Sequence, residues 1–374
     1  MQPVALESMP FVGAAEVEDG PQGLVLHRLP AFARLQSSLD PTMGLIESMP
    51  AGVRLRGRTA ATELELDVDL TVVQVGEKDP VPAVFDVVVD GVRTSTVSTV
   101  EGTRIVIRGP GDFDIVPGAT ATVALELPGD PDSVVEVWMP HAATVAVREA
   151  RLSDGASFEP VDRSGRRWIH YGSSISHCLE AVRPTETWPN AVALRAGLDI
   201  QNLGFGGQCM LDQYVARTIR DAAADVITLK VGINIVNGDT FRERTFLPAL
   251  HGFLDTVREG HPDTPILLVT PIYCPSAEDL PGPTLPMPDG TYSTVPRPLE
   301  LNTGALSLKR IRELIALVVA VRDDKNLQLL DGLTLFGEGD VADLYDLLHP
   351  TAEGYLRMAD RFHAAVFADG GLLA

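Results

Sequence analysis

Cysteine is scarce: three residues in 374, Cys178, Cys209 and Cys274, and none in the first 170 or so. An odd number placed this way excludes a disulfide framework and suits a reducing compartment. Basic residues are also short. Thirty Lys and Arg stand against 51 Asp and Glu, a formal net charge of −21. Such a field repels nucleic acid and anionic membranes, so neither is expected as a partner. It also opposes an anionic ligand such as a coenzyme A thioester, which would need a local basic patch. Arg163, Arg166, Arg167 and Arg183 flank the serine segment described below and are either that patch or solvated surface. No apolar run approaches the ~20 residues that span a bilayer. Residues 1–20 lack a basic n-region followed by an apolar h-region, so no signal peptide is read there and a cytoplasmic protein is expected. The first 150 residues hold no Tyr and one Trp, Trp138, which argues against a sugar-stacking platform in that half. No HExxH motif and no cysteine–histidine spacing completes a metal site, and no cofactor is expected.

What is present has two grammars. From about residue 50 to 150 the apolar period is two: Leu64, Leu66, Val68, Leu70 and Val72 alternate with Glu63, Glu65, Asp67, Asp69 and Thr71. That pattern places one strand face on a core and the other in water. Further β-rich runs at 84–89, 104–108, 120–127, 133–139 and 144–147 are separated by turn signals such as Asp90-Gly91 and Pro128-Gly129-Asp130. Short strands so spaced predict an antiparallel sandwich or jelly roll. Beyond the Arg-rich stretch the pattern becomes short apolar runs at 168–171, 200–203, 226–231, 266–270 and 327–330. Helical patterns at 211–223, 241–259, 305–321 and 352–367 alternate with them. Alternating strands and helices predict an α/β domain with a parallel sheet covered on both faces. The expected domains are therefore 1–162, all β, and 163–374, three-layer α/β/α. Residues 274–303 interrupt the second with seven prolines, a lid, a binding loop or a passive insertion.

In open parallel sheets ligands bind beyond the carboxyl ends of the strands. Four segments lie at such ends or before the last helix: Tyr171 to Ile175, Asn202 to Gly207, Gly232 to Asn234, and Asp346 to Pro350. Ser174 follows a strand and a tight-turn glycine, the setting of a nucleophile and equally of a helix N-cap. Gly204, Gly206 and Gly207 let backbone approach a ligand, but the run lacks the spacing of a dinucleotide fingerprint and the lysine of a P-loop. Asn234 can donate to an oxyanion or close a turn. Asp346 and His349 can pair as orienter and base, or stand at a helix entry. His170 and His177 bracket Ser174 and are the substitutes should His349 not reach it.

Together these segments resemble the SGNH hydrolases, also called the GDSL lipase/acylhydrolase family. The family's Gly-Asp-Ser-Ile-Thr block is here Gly172-Ser173-Ser174-Ile175-Ser176, and its second-block glycine is Gly207. Its Gly-x-Asn-Asp is Gly232-Ile233-Asn234-Ile235, and its Asp-x-x-His runs from Asp346 to His349. The resemblance implies a flavodoxin-like sheet. It also implies Ser174 as nucleophile, His349 as base and Asp346 as its orienter, with Ser174 N–H, Gly207 N–H and the Asn234 side chain as oxyanion hole. Three departures stand out: Ser173 and Ile235 replace the usual acids, and Leu347 stands where many relatives have Gly. Loss of two acids implies a drier, less anionic site in which an acyl-enzyme outlives water and meets an alcohol. A sandwich before such a domain is similar to certain carbohydrate esterases and to SGNH salicylyltransferases of tetracycline-type polyketide tailoring. The expected function is O-acyl transfer from a small-molecule donor, a coenzyme A-type thioester, through acyl-Ser174 to an alcohol acceptor such as a polyketide. The alternative is hydrolysis of small or carbohydrate esters by the same residues. A third reading is an inert, sugar-binding relative.

Overall fold

The computed structural model describes residues 1–109, 111–153, 155–161 and 165–374. The expected domain boundary at 162/163, and Arg163 with it, lie outside the described residues. The chain divides into two compact units, Met1–Ser164 with Val182–Thr185, and Gly165–Ala181 with Glu186–Ala374.

The first unit is strand-rich. Its long strand Glu63–Val75 buries alternate residues from Leu64 to Val72, as the period of two requires. Among the described residues it belongs to an eight-stranded sheet, and a second sheet has six strands. Leu66, Val68 and Val123 of the larger sheet share one core with Leu55, Phe85 and Val137 of the smaller, which makes the unit a sandwich. The pairing is antiparallel save at one place, where Glu63–Val75 runs parallel to Thr103–Gly109. The elements in the first 50 residues have no counterpart in the sequence reading. The hairpin Glu16–Gly20 and Gly23–His27 joins the larger sheet, and the helices Ala31–Gln36 and Pro41–Glu47 are too short to show a helical period. The buried Asp86 carboxylate accepts hydrogen bonds from Thr96 Oγ1 at 2.6 Å and from Thr185 Oγ1 at 2.6 Å, which fastens Val182–Thr185 to this unit.

The second unit is built on five parallel strands in the order Asp199–Gly204, Arg167–Gly172, Val226–Lys230, Ile266–Val269 and Leu327–Leu330. The strands are short and apolar because both faces are covered. Arg167–Gly172 shows how. Trp168 stacks on Phe362 of helix Ala352–Val366, and His170 meets Trp188 of helix Trp188–Ala196 edge-on. Tyr171, pointing the other way, stacks on Phe253 of helix Glu243–Gly260. The strand order reverses at Arg167–Gly172, since the next two strands in the chain, Asp199–Gly204 and Val226–Lys230, lie on opposite sides of it. Across that reversal Gly172 is in register with Gly204 and with Lys230. The three loops that follow these strands therefore leave the sheet at one level.

The level is held by a close approach. A Cβ on Gly204 would lie 2.6 Å from the backbone nitrogen of His177, because the helix Ser174–His177 rests on the strand end. Backbone cannot swing aside as a flexible side chain can. Gly204→Ala is expected to lower stability by about 2 kcal/mol through overpacking, read as a lower urea midpoint with an unchanged slope.

Candidate active site

Ser173 is extended and its side chain accepts a hydrogen bond from Ile175 N–H at 3.3 Å, so it caps a one-turn helix, Ser174–His177. Cys178, in the left-handed region at φ 59°, closes that turn. Ser173 and residues 175–178 are buried, whereas Ser174 is half-exposed. Capping thus consumes the hydroxyl of Ser173 and leaves that of Ser174 available beyond the C-terminal end of the strand Arg167–Gly172.

The imidazole that reaches it comes from 175 residues away. His349 Nε2 lies 2.9 Å from Ser174 Oγ, and His349 Nδ1 lies 2.7 Å from Asp346 Oδ2. Asp346 also accepts from the backbone N–H groups of Leu348 at 3.0 Å and His349 at 2.7 Å through Oδ1. The carboxylate holds the proton on Nδ1, which leaves Nε2 to accept from the serine hydroxyl. The loop is pinched shut by the bridge between Leu344 and Pro350 and by Tyr345 N–H donating to His349 O at 2.7 Å. Thr351 then caps the last helix, accepting from Gly354 N–H at 3.2 Å. His170 and His177 are not alternatives at this hydroxyl. His170 sits between Thr228 Oγ1 and Ser176 Oγ, each at 2.7 Å, and burial, with Lys230 nearby, lowers it to about 3. His177 is buried in the one-turn helix.

One charged neighbour was not legible in the sequence. Glu180 Oε1 lies 3.9 Å from His349 Nδ1, and Glu180 Oε2 accepts from Tyr355 O–H at 2.8 Å. Burial disfavours the imidazolium, yet the Glu180 and Asp346 carboxylates outweigh it and raise His349 above its ordinary 6.5. Burial likewise works against the Asp346 carboxylate, but its hydrogen bonds to His349 hold it below the ordinary carboxylate value. The acids missing at Ser173 and Ile235 do not leave Asp346 as the single carboxylate by the ring: Glu180, which no motif spacing marks, is a second. Ile235 is fully buried, a place where an unpaired carboxylate would be costly.

Asn234 follows Gly232, whose φ of 119° a side chain would not tolerate. The Asn234 Oδ1 accepts Cys209 N–H at 3.0 Å, which turns the amide NH2 away from that contact and fixes the side chain. Gly207 is exposed in the turn after Asp199–Gly204 with φ 73°. Ser174, Gly207 and Asn234 thus stand on the three loops that leave the sheet together. Beneath them Lys230 is buried, and burial lowers it to about 8.

Arg166 and Arg167 do not reach the serine. Arg166 Nη1 donates to Leu373 O at 2.7 Å, and Arg167 forks onto Asp225 at 2.7 and 3.0 Å. Both stand at the start of the strand whose other end leads to Ser174. Arg183 belongs to the first unit, where Nη1 donates to Thr96 Oγ1 at 3.0 Å. The 274–303 insertion, by contrast, reaches the site. Its hairpin Thr284–Pro286 and Tyr292–Thr294 puts the Tyr292 ring edge-on to His349 at 5.7 Å, and Tyr292 N–H donates to Asp346 O at 2.8 Å. Leu347, in the loop between Asp346 and His349, has φ 67°, an arrangement costing a residue with a Cβ about 1–2 kcal/mol. Among the described residues no cluster of three or more His, Cys, Asp or Glu could hold a metal ion. No described helix is long and apolar enough to cross a membrane.

The model of the GDSL-like lipase/acylhydrolase family matches residues 170–357, half of the chain. The chain belongs to that family. No curated protein matches it in sequence. Among solved structures it is similar to the salicylyl-acyltransferase SsfX3 from a tetracycline biosynthetic pathway. That likeness has 28% identity and a TM-score of 0.78, over 96% of this chain and 95% of that one. A Bacteroides ovatus protein described as a GDSL-like lipase aligns at 19% identity and TM-score 0.65, over 96% and 95% of the two chains. An active-site mutant of a family two carbohydrate esterase from Clostridium thermocellum aligns at 13% identity and TM-score 0.60, over 95% and 97%. The last two likenesses concern the fold alone.

In this family member the charge around His349 is open to direct measurement. Its NMR titration midpoint is expected above 6.5, and Glu180→Gln is expected to move it downward. A midpoint that ignores the substitution would show that solvent screens Glu180 from the ring.

Proposed function

We propose that the protein is a serine O-acyltransferase that moves an acyl group from a thioester to an alcohol through acyl-Ser174. The observation that supports it most is the hydrogen-bond series from Asp346 through His349 to Ser174, at 2.7 and 2.9 Å. In this reading His349 Nε2 takes the Ser174 proton as Oγ attacks the thioester carbonyl carbon. The oxyanion is held by the Ser174 and Gly207 N–H groups and the Asn234 amide. Collapse breaks the carbon–sulfur bond, and the thiol leaves with the proton from the imidazolium. An alcohol then gives its proton to Nε2, attacks the acyl-serine carbonyl and leaves as the ester, returning the proton to Ser174.

Transfer rather than hydrolysis is favoured by the likeness to a salicylyl-acyltransferase along almost the whole of both chains at 28% identity. With Arg166 and Arg167 already engaged, recognition of a coenzyme A-type donor would rest on its acyl group more than on its phosphates. Incubation with an aryl thioester and a panel of alcohols should yield ester product, with Ser174→Ala lowering turnover at least ~10³-fold. Free acid alone, whatever the alcohol, would leave an ester hydrolase. Full turnover in Ser174→Ala would remove the serine mechanism altogether. Asn234→Ala should cost on the order of 10²-fold in kcat with little change in KM; a loss confined to KM would assign Asn234 to ground-state binding.

A further inference from the structure

The insertion and the Asp346–His349 loop line an open cleft of about 490 Å³, with Met287, Pro288, Asp289, Tyr292, Ser293 and Leu347 among its lining residues. That size suits a drug-sized ligand. We propose that this cleft seats the acceptor, and that it takes an uncharged alcohol carrying a flat, apolar ring system. The inference rests on the acyl-transfer reading above.

Position argues for the alcohol or the departing thiol and against the acyl group itself. In either half-reaction the group that enters or leaves the carbonyl carbon exchanges its proton with His349 Nε2, so it stands on the imidazole side. The carbonyl oxygen points away, toward Gly207 and Asn234. The cleft is fastened to the imidazole side: Tyr292 packs edge-on against the ring at 5.7 Å, and Leu347 belongs to the same loop as His349. The walls argue for the ligand's chemistry. Met287 and Leu347 each remain 41% exposed in a cleft that prolines and the Tyr292 ring line together with Ser276, Asp289, Thr291 and Ser293, so apolar surface is left uncovered beside polar groups. Leu347 keeps its isobutyl group there although its backbone occupies a region that glycine fills without strain. The Asp289 carboxylate among the lining residues and a net charge of −21 oppose an acidic ligand, a coenzyme A-type thiol included, and so favour the alcohol.

The test uses the full chain, one aryl thioester donor, and either 2-naphthylmethanol or ethanol. Intact-mass analysis reports acyl-Ser174, and chromatography reports the ratio of ester to free acid formed from it. Met287→Ser and Leu347→Gly are each expected to lower that ratio at least tenfold more for 2-naphthylmethanol than for ethanol. Leu347→Gly should not lower Tm, since glycine relaxes φ there. Equal losses with both alcohols, or a change confined to the KM of the donor as its acyl group is varied, would overturn the acceptor assignment while acyl-Ser174 still forms. No acyl-Ser174 in the unaltered protein, or only free acid from it with both alcohols, would overturn the transfer reading and the acceptor cleft with it.

Discussion

The candidate site depends on one constraint, the shared level at which three parallel strands end. Gly172, Gly204 and Lys230 lie in register, and the helix Ser174–His177 sits so close above Gly204 that no side chain fits between them. The serine turn, the glycine turn and the Gly232–Asn234 turn consequently start from one plane. A one-residue slip in any of the three strands would move its loop along the sheet by about 3.3 Å, more than the whole length of the hydrogen bond between Ser174 and His349. Reversal of strand order at Arg167–Gly172 supplies the crevice, as it does in open α/β sheets generally.

On that platform the electrostatics are set by a loop that the sheet does not hold directly. Residues 344–350 are closed on themselves by a β-bridge and by the bonds of the Asp346 carboxylate to two backbone N–H groups. The imidazole then sits among Asp346, Glu180 and the Tyr292 ring. Burial alone would keep it neutral; two carboxylates favour its charged form. Such a balance suits a group that takes up a proton briefly and returns it. Tyr355, which donates to Glu180, ties the second carboxylate to the last helix, so the charges around His349 are anchored to elements on either side of the loop.

The proline-rich insertion contributes in a different manner. It adds nothing to the five-stranded sheet; its hairpin instead packs on the Asp346–His349 loop and shapes the cleft beside it. Family members can thus share the serine, histidine and aspartate and differ in what lies next to them, because an insertion at a loop changes the cleft without disturbing strand register. The strained Leu347 lies beside that cleft.

The sequence by itself determined the fold class of each half. Period-two alternation in Glu63–Val75 and the β-rich runs after it imposed a sandwich, while short apolar runs alternating with helical patterns imposed a parallel sheet. It also carried the residue types and order of the serine, glycine, asparagine and aspartate–histidine segments. Weaker signals were lost: helices of six and seven residues are shorter than two helical turns, and Trp188–Ala196 buries too much of its surface to show a polar face. Only the tertiary structure decided that His349 and not His170 meets the serine, that Glu180 joins Asp346 beside it, and that Arg166 and Arg167 are spent elsewhere. Local periodicity reports which face of an element is covered. It carries no distance between side chains that are brought together from more than 100 residues apart, and a charge takes its meaning from that distance.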